Sequence, residues 1–504
     1  MKIKGLSALR FRALRAVLIF GVSAAAQATG AAPPHLFQPA SLSPALASQP
    51  HTFGAEAVRV DFDLLARLGP GDPLTFNLDG QGALAGQVEK LERRSPTFYS
   101  IFGALDSGPD GSFALVVHDG VAAASLSLPQ RQAQFALRYL GDRIHGVFRV
   151  DPRDFGGCAT AQSARSHEED IAPPFESEED NPRVRPSSGS GTNALDCVES
   201  YSQPVIDILI VYTQLARDAA GGTEAIQAEC LLAIDLANIA YENSRVDLRM
   251  RLVGLYETSY NEDGDAGDHL DDLEDDDDGV MDWVHDRRNE VHADFVSLWI
   301  SEDADVCGKG NCSADEDEAF SVTVWSCATS NKTFHHEIGH NQGLAHDDEN
   351  AGSCGYYDDS KGWRFWGNNN TGYRTVMAYN NDAGDFARVS FFSDPDVSYM
   401  GTPTGVEWEA DNAKTLRIRN SVFREFRPPG HEVWVDFDSG IPLQWGSFGL
   451  PYHTLSAGIS ATVQAWGDEE RPTVWIKAGH NQEVMLIDKP VTLKSCGGFA
   501  RIGN

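Results

Sequence analysis

Up to Val150 the chain alternates apolar and polar positions with a period of two, as in Phe113, Leu115 and Val117 and again in Phe135, Leu137 and Tyr139. Gly-Asp and Asp-Gly pairs interrupt the alternation, so the region reads as strands joined by tight turns. A different pattern starts at residues 206–213 (IDILIVYT), a nearly continuous apolar run that marks a strand covered on both faces. Thr223 then reads as the N-cap of a helix that places Ile226, Cys230, Ile234, Ala237 and Tyr241 on one face. Val246, Leu248, Met250 and Leu252 alternate with polar residues, and residues 295–300 and 321–325 read as two further buried strands. Strand, helix and strands in that order predict an α/β (α+β) domain on a mixed sheet. Beyond Pro428 and Pro429 the pattern returns to strands at 433–437, 474–476 and 484–493.

The first residues follow neither pattern. Lys2, Lys4, Arg10, Arg12 and Arg15 form a basic stretch without an acid, residues 16–26 are apolar, and Ala26-Gln27-Ala28 offers small residues for cleavage. This predicts a signal peptide over 1–28 and a secreted, extracellular protein. The apolar run is too short to span a membrane, and no later segment is long enough, so no membrane span is expected. From 158 to 195 the composition shifts to Ser, Pro, Gly and acid, which predicts an exposed linker in which Arg183 and Arg185 suit proteolytic nicking. The expected division is therefore 1–28, a β-rich unit at 29–157, the linker at 158–195, an α/β domain at 196–428 and a β-rich tail at 429–504.

Charge and cysteine content narrow the chemistry. Against 40 Lys and Arg stand 74 Asp and Glu, a net charge of −34 over 504 residues. Such a surface repels phosphate and argues against nucleic acid or anionic membrane as partners. Eight cysteines without a CxxC pair read as disulfides of an oxidising compartment, and five of them fall between 230 and 354, which predicts a stapled middle domain. The dense acid at 262–278 does not make an EF-hand. The loop set by Gly279 puts His285 at the twelfth position, where Glu is needed, leaving a looser Ca2+ site or a solvated acidic loop.

The strongest signal is at 335–348, HHEIGHNQGLAHDD, which contains H-E-x-x-H-x-x-G-x-x-H as His336, Glu337, His340, Gly343 and His346. His336 and His340 stand four apart on a helix, so both imidazoles face one metal ion. Glu337 lies beside the first ligand, within reach of a water at the metal. Gly343 permits the sharp turn that brings His346 round as third ligand and leaves a fourth position open, the catalytic form of a Zn2+ site.

With Asn341 after the second His and Asp347 after the third, this motif resembles the metzincin zinc endopeptidases, especially the adamalysin (reprolysin) group. Residues 373–379 (YRTVMAY) resemble that clan's Met-turn, which implies Met377 as the floor of the site. Tyr379 departs from adamalysins and matches the M-x-Y of astacin-like and serralysin-like members, which implies a catalytic role as oxyanion donor or weak ligand. His335 and His285 read as ordinary. The resemblance implies a metzincin-like fold with a zinc helix, protein or peptide substrates, and hydrolysis by an activated water with Glu337 as general base. It also makes 29–157 a propeptide, the linker its release site, and the protein a zymogen. Cys158 is then either a switch thiol inhibiting the zinc site or half of a disulfide, with Cys197 as a candidate partner. Residues 321–325 are expected at the sheet edge that pairs with substrate, and the acid at 303–318 beside it implies a bias toward basic peptides. The tail resembles one coil of a parallel β-helix, too little to bury both its faces alone. The alternative function is a non-catalytic adhesion or carbohydrate-binding protein with a degenerate protease domain.

Overall fold

The computed structural model describes residues 33–503 except 42–48, 79–81, 107, 109, 156, 163–203, 304, 382–383 and 469. The expected signal peptide and the linker's Arg183 and Arg185 lie outside the described residues.

The N-terminal alternation builds a nine-stranded antiparallel sheet. Seven consecutive strands from Pro73–Leu78 to Ile144–Val150 form a meander, and Thr52–Val60 and Phe37–Pro39 extend it beyond Ile144–Val150. Phe113, Leu115 and Val117 point into a core of this sheet's own. The opposite face is not solvated. Its small residues, among them Ala114 and Ala123, let the long helix Thr223–Asn243 settle on it with Ile226, Cys230 and Ile234. Buried polar pairs fasten that contact, such as Arg94 with Asp235 at 3.0 Å. Arg138 donates to the Ser326 carbonyl and the Ser330 hydroxyl, each at 2.9 Å.

The middle of the chain forms a six-stranded mixed sheet with helices against it. Val205–Thr213 lies between Arg249–Thr258 and Phe295–Ile300, followed by Phe320–Val324, Val306–Cys312 and finally Gly157–Gln162. All neighbours are parallel except Val306–Cys312 against Phe320–Val324. Two sequence expectations need correction here. Phe320–Val324 is an interior strand, and the edge of the domain's own sheet is Val306–Cys312, on which Gly157–Gln162 is laid. The helix is capped at Gly222 rather than at Thr223, its first residue.

The edge strand read poorly because it is VCGKGNC. Its glycines are required by close approach: a Cβ on Gly308 would lie 2.8 Å from Glu337 Oε1, and one on Gly310 would lie 2.7 Å from the Glu337 carbonyl oxygen. Disulfides hold both ends of the strand, Cys307 to Cys327 and Cys312 to Cys354. Cys230 stays a buried free thiol.

The tail contributes a parallel three-stranded sheet, Glu432–Val435, Thr473–Asn481 and Thr492–Ile502. The helix Leu455–Ser460 covers it with Leu455 and Ile459. The strand expected at 484–493 is instead a loop up to the last strand, with Val484 and Leu486 more than four-fifths exposed. Met485 and Val491 pack against the tail's core, while Val484 and Leu486 face away from it. Among the described residues no helix is long and apolar enough to cross a membrane.

Candidate active site

The helix Thr333–Asn341 runs beneath the edge strand with every residue buried. Asn341 fastens it to the sheet by donating to the Phe320 carbonyl at 2.8 Å and the Asn311 carbonyl at 3.1 Å. The helix ends at Asn341, one residue after His340, and Gly343 makes the turn with φ of +78°. Any Cβ there would lie 2.8 Å from Tyr356 Cβ, so the position excludes a side chain twice over.

That turn brings three imidazoles together. His346 Nε2 stands 3.1 Å from His336 Nε2 and 3.0 Å from His340 Nε2. Each opposite ring nitrogen faces a backbone carbonyl: His336 Nδ1 that of Val376 at 2.9 Å, His340 Nδ1 that of Leu344 at 2.8 Å, and His346 Nδ1 that of Asn350 at 3.2 Å. Carbonyls only accept, so each Nδ1 carries the proton and each Nε2 presents a lone pair. Three converging lone pairs repel unless a cation lies among them. Tetrahedral bonds of ~2.0–2.1 Å would set such nitrogens about 3.3 Å apart, so the donor set fits a metal of zinc's size. Burial, with the neighbouring imidazoles, pushes His336 and His340 well below the ordinary imidazole range. Burial takes His346 down to about 4. All three rings are held neutral, as ligands must be.

Met377 is fully buried under the helix, and a Cβ on Gly339 would lie 2.7 Å from its sulfur, so this glycine admits the methionine floor. Asp347 ties the two parts of the site together. It accepts from the Tyr379 amide at 2.9 Å and pairs with Arg364 at 2.8 Å.

Glu337 points out of the same helix toward Cys158. Burial pushes its carboxyl up to about 8, against the pull of the Cys158 hydrogen bond and the Arg388 charge. The Cys158 thiol donates to Glu337 Oε2 at 2.9 Å, and its sulfur belongs with the three imidazoles to one cluster whose ligand atoms lie within 4.8 Å of one another. The Tyr379 hydroxyl accepts from the Cys158 amide at 2.7 Å and donates to its carbonyl at 3.0 Å. Cys158 is a free thiol, which removes the disulfide reading.

His335 and His285 stand apart from the metal cluster, and His285 Nε2 faces the Leu273 carbonyl at 3.0 Å. The acidic run gives calcium no support. Among the described residues no ligand cluster includes it, and its carboxylates serve the backbone. Asp265 and Asp268 close a capping box on the helix Ala266–Glu274, and Glu262 accepts from the Ser301 amide. Asp303 likewise accepts from the Ala266 and Val306 amides. The bias toward basic peptides expected from this acid is not what the cleft displays. A cavity of about 370 Å³ opens beside His336, Glu337 and Tyr379, and its lining also carries Arg153, Arg374 and Arg388. Neither Arg374 nor Arg388 drew attention in the sequence, where neither completes a spaced motif.

A family model described as Metallo-peptidase family M12, of the reprolysin type, matches residues 202–393. A peptidyl-Asp metalloendopeptidase of Stenotrophomonas maltophilia is 31% identical over 442 residues, covering 81% of this chain and 97% of that protein. The chain belongs to the M12 metalloendopeptidases. A protein of the same description from Xanthomonas campestris is 30% identical over 418 residues, covering 81% of this chain and 92% of its own length. This metalloendopeptidase is thus a hydrolase that takes protein or peptide substrates and needs a metal ion, and the non-catalytic alternative falls away. Among solved structures, metalloproteinase-II from Bacteroides fragilis aligns with 60% of this chain and 88% of its own at 9% identity and a TM-score of 0.36, too weak a likeness to bear on the site.

Proposed function

We propose that this metalloendopeptidase is a secreted zinc enzyme, made as a zymogen, that cuts peptide chains beside aspartate residues with Glu337 as general base. The convergence of His336, His340 and His346 on one point beside Glu337 carries the reading of the chemistry. The aspartate preference follows the relatives, which are described as peptidyl-Asp metalloendopeptidases.

His336, His340 and His346 hold the ion. Zinc bound there supplies Lewis-acid polarisation of the scissile carbonyl and acidifies water. Glu337 accepts the proton of the attacking water and passes it to the departing amine nitrogen. The Tyr379 hydroxyl donates to the oxyanion as the carbonyl becomes tetrahedral. The edge strand Val306–Cys312 holds the substrate extended by backbone hydrogen bonds.

In the zymogen the segment Gly157–Gln162 occupies that edge in parallel register, and Cys158 engages both Glu337 and Tyr379. Residues 29–157 are the propeptide, cleavage in the linker at 158–195 beyond the strand Gly157–Gln162 releases them together with Cys158, residues 196–428 carry catalysis, and 429–504 form a C-terminal module. Export over a signal peptide at 1–28 agrees with the disulfides of the edge strand, which an oxidising compartment preserves.

Digestion of a proteome-derived peptide mixture by the matured enzyme tests the reading. Chelator-sensitive cuts concentrated beside Asp are expected. Cuts indifferent to chelation contradict the zinc chemistry, and cuts without acidic neighbours contradict the aspartate preference.

A further inference from the structure

The walls of the cavity beside Glu337 hold three guanidinium groups: Arg153 is paired with Asp151, while Arg374 and Arg388 are left unused by the hydrolytic chemistry. Arg374 ends the strand Gly372–Arg374 and Arg388 ends Ala387–Arg388. The two strands pair in parallel with these arginines as register partners. Arg374 is buried and Arg388 half-buried.

Both side chains reach the same backbone oxygen. Arg374 Nη1 donates to the Ala378 carbonyl at 2.8 Å, and Arg388 Nη2 donates to it at 3.3 Å. Their remaining bonds also go to neutral carbonyls, Arg374 Nε to Phe386 and Arg388 Nη1 to Asn331. Arg388 Nε is buried with no partner. Among the described residues no carboxylate forms an ion pair with either arginine, although acids outnumber bases by 74 to 40 in the chain. Lys332 is buried nearby, and burial together with the charges of Arg388 and Arg374 pushes its ammonium down to about 7. Like charges held together out of water are costly unless an anion joins them.

The cationic wall belongs to the reaction site. It lines the same cavity as His336, Glu337 and Tyr379, and the charge of Arg388 is felt at both Glu337 and Tyr379. Among the described residues, the carboxylate on the cavity wall other than Glu337 is Asp385, which is exposed. A short acidic side chain next to the scissile bond would enter this cavity and supply the missing anion, with the planar fork of a guanidinium matching a carboxylate.

We infer that Arg388, backed by Arg374, is the specificity-determining residue that reads an aspartate side chain beside the scissile bond. The inference rests on the proposed aspartate preference and assigns it to particular atoms. It also explains how a chain of net charge −34 takes an acidic substrate, because the local pair of cations governs the pocket while the acidic surface lies elsewhere.

Two matched peptide sets test it, carrying Asp, Glu, Asn or Ala on the carboxyl side or on the amino side of the cut, with kcat/KM measured for the full chain after maturation. The wild-type enzyme is expected to prefer Asp to Asn by at least ~100-fold in one set, since a site built to bond a polar group rejects its analogue strongly. Arg388→Ala should shrink that ratio to within about tenfold, and Arg388→Lys should leave it between the two. A wild-type enzyme indifferent to Asp overturns the aspartate preference itself. A wild-type preference that survives in Arg388→Ala overturns this inference alone. Should Arg388→Ala cut none of the peptides, binding of fluorescent Asp and Ala peptides to Glu337→Gln and to Glu337→Gln/Arg388→Ala decides. Loss confined to the Asp peptide supports the assignment, and equal loss for both overturns it.

Discussion

The Cys158 thiol lies 2.9 Å from the Glu337 carboxylate, while the same residue's backbone holds the Tyr379 hydroxyl from both its amide and its carbonyl. One residue of the Gly157–Gln162 strand therefore engages the proposed base and the proposed oxyanion donor together. The proposed latency rests on this double engagement and on occupation of the sheet edge.

Cys158→Ala in the uncleaved chain removes the thiol and keeps the strand. A hydrogen bond contributes about 0.5–1.5 kcal/mol net, so the open fraction, and with it the initial rate on a small peptide, should rise roughly 2–10-fold. The measurement is activity before linker cleavage, followed alongside gel analysis of chain length. Unchanged latency would place inhibition in the strand pairing alone.

Tyr379→Phe separates transition-state binding from substrate binding. Its hydroxyl is proposed to bond the oxyanion only as charge develops, so kcat should fall by roughly 10²-fold with little change in KM. A rise in KM at constant kcat would make Tyr379 a residue that packs on the substrate instead.

Glu274, at the end of the helix Ala266–Glu274, gives the pH dependence a sign. Burial pushes its carboxyl up to about 7 against a hydrogen bond from Asn311 of the edge strand, and Glu318 and Asp271 add repulsion. A folded-state pKa above the unfolded 4.5 means that the native state holds the proton more tightly. Its contribution is complete below the unfolded value and is lost as pH rises through about 7. Glu274→Gln removes that loss, so its Tm should gain on the wild type between about pH 5 and pH 8. Parallel Tm curves across that range would contradict the assignment.

The convergence of the three imidazoles beside Glu337 was legible because it is local. His336, Glu337, His340, Gly343 and His346 sit within one helix and its turn, where spacing translates directly into direction. The strands at Val205–Thr213 and Phe295–Ile300 were legible for a related reason, since burial on both faces leaves an unbroken apolar run. The edge strand was not. Its register is written in Gly308 and Gly310, whose value is the space they leave for Glu337, and no apolar period records that. The loop around Val484 misled in the opposite sense, because Met485 packs on the tail's core without strand pairing while Val484 and Leu486 stay exposed. Arg374 and Arg388 meet only through a pairing of two very short strands, which no spacing in the sequence records.

Glu337→Gln probes the proposed chemistry at its centre, read as metal content and kcat on the same sample of matured enzyme. The three imidazoles are untouched, so the variant should retain zinc at the wild-type ratio. Losing the proton-transfer group should lower kcat by roughly 10²–10⁴-fold. Zinc retained with kcat near the wild-type value would contradict Glu337 as the general base.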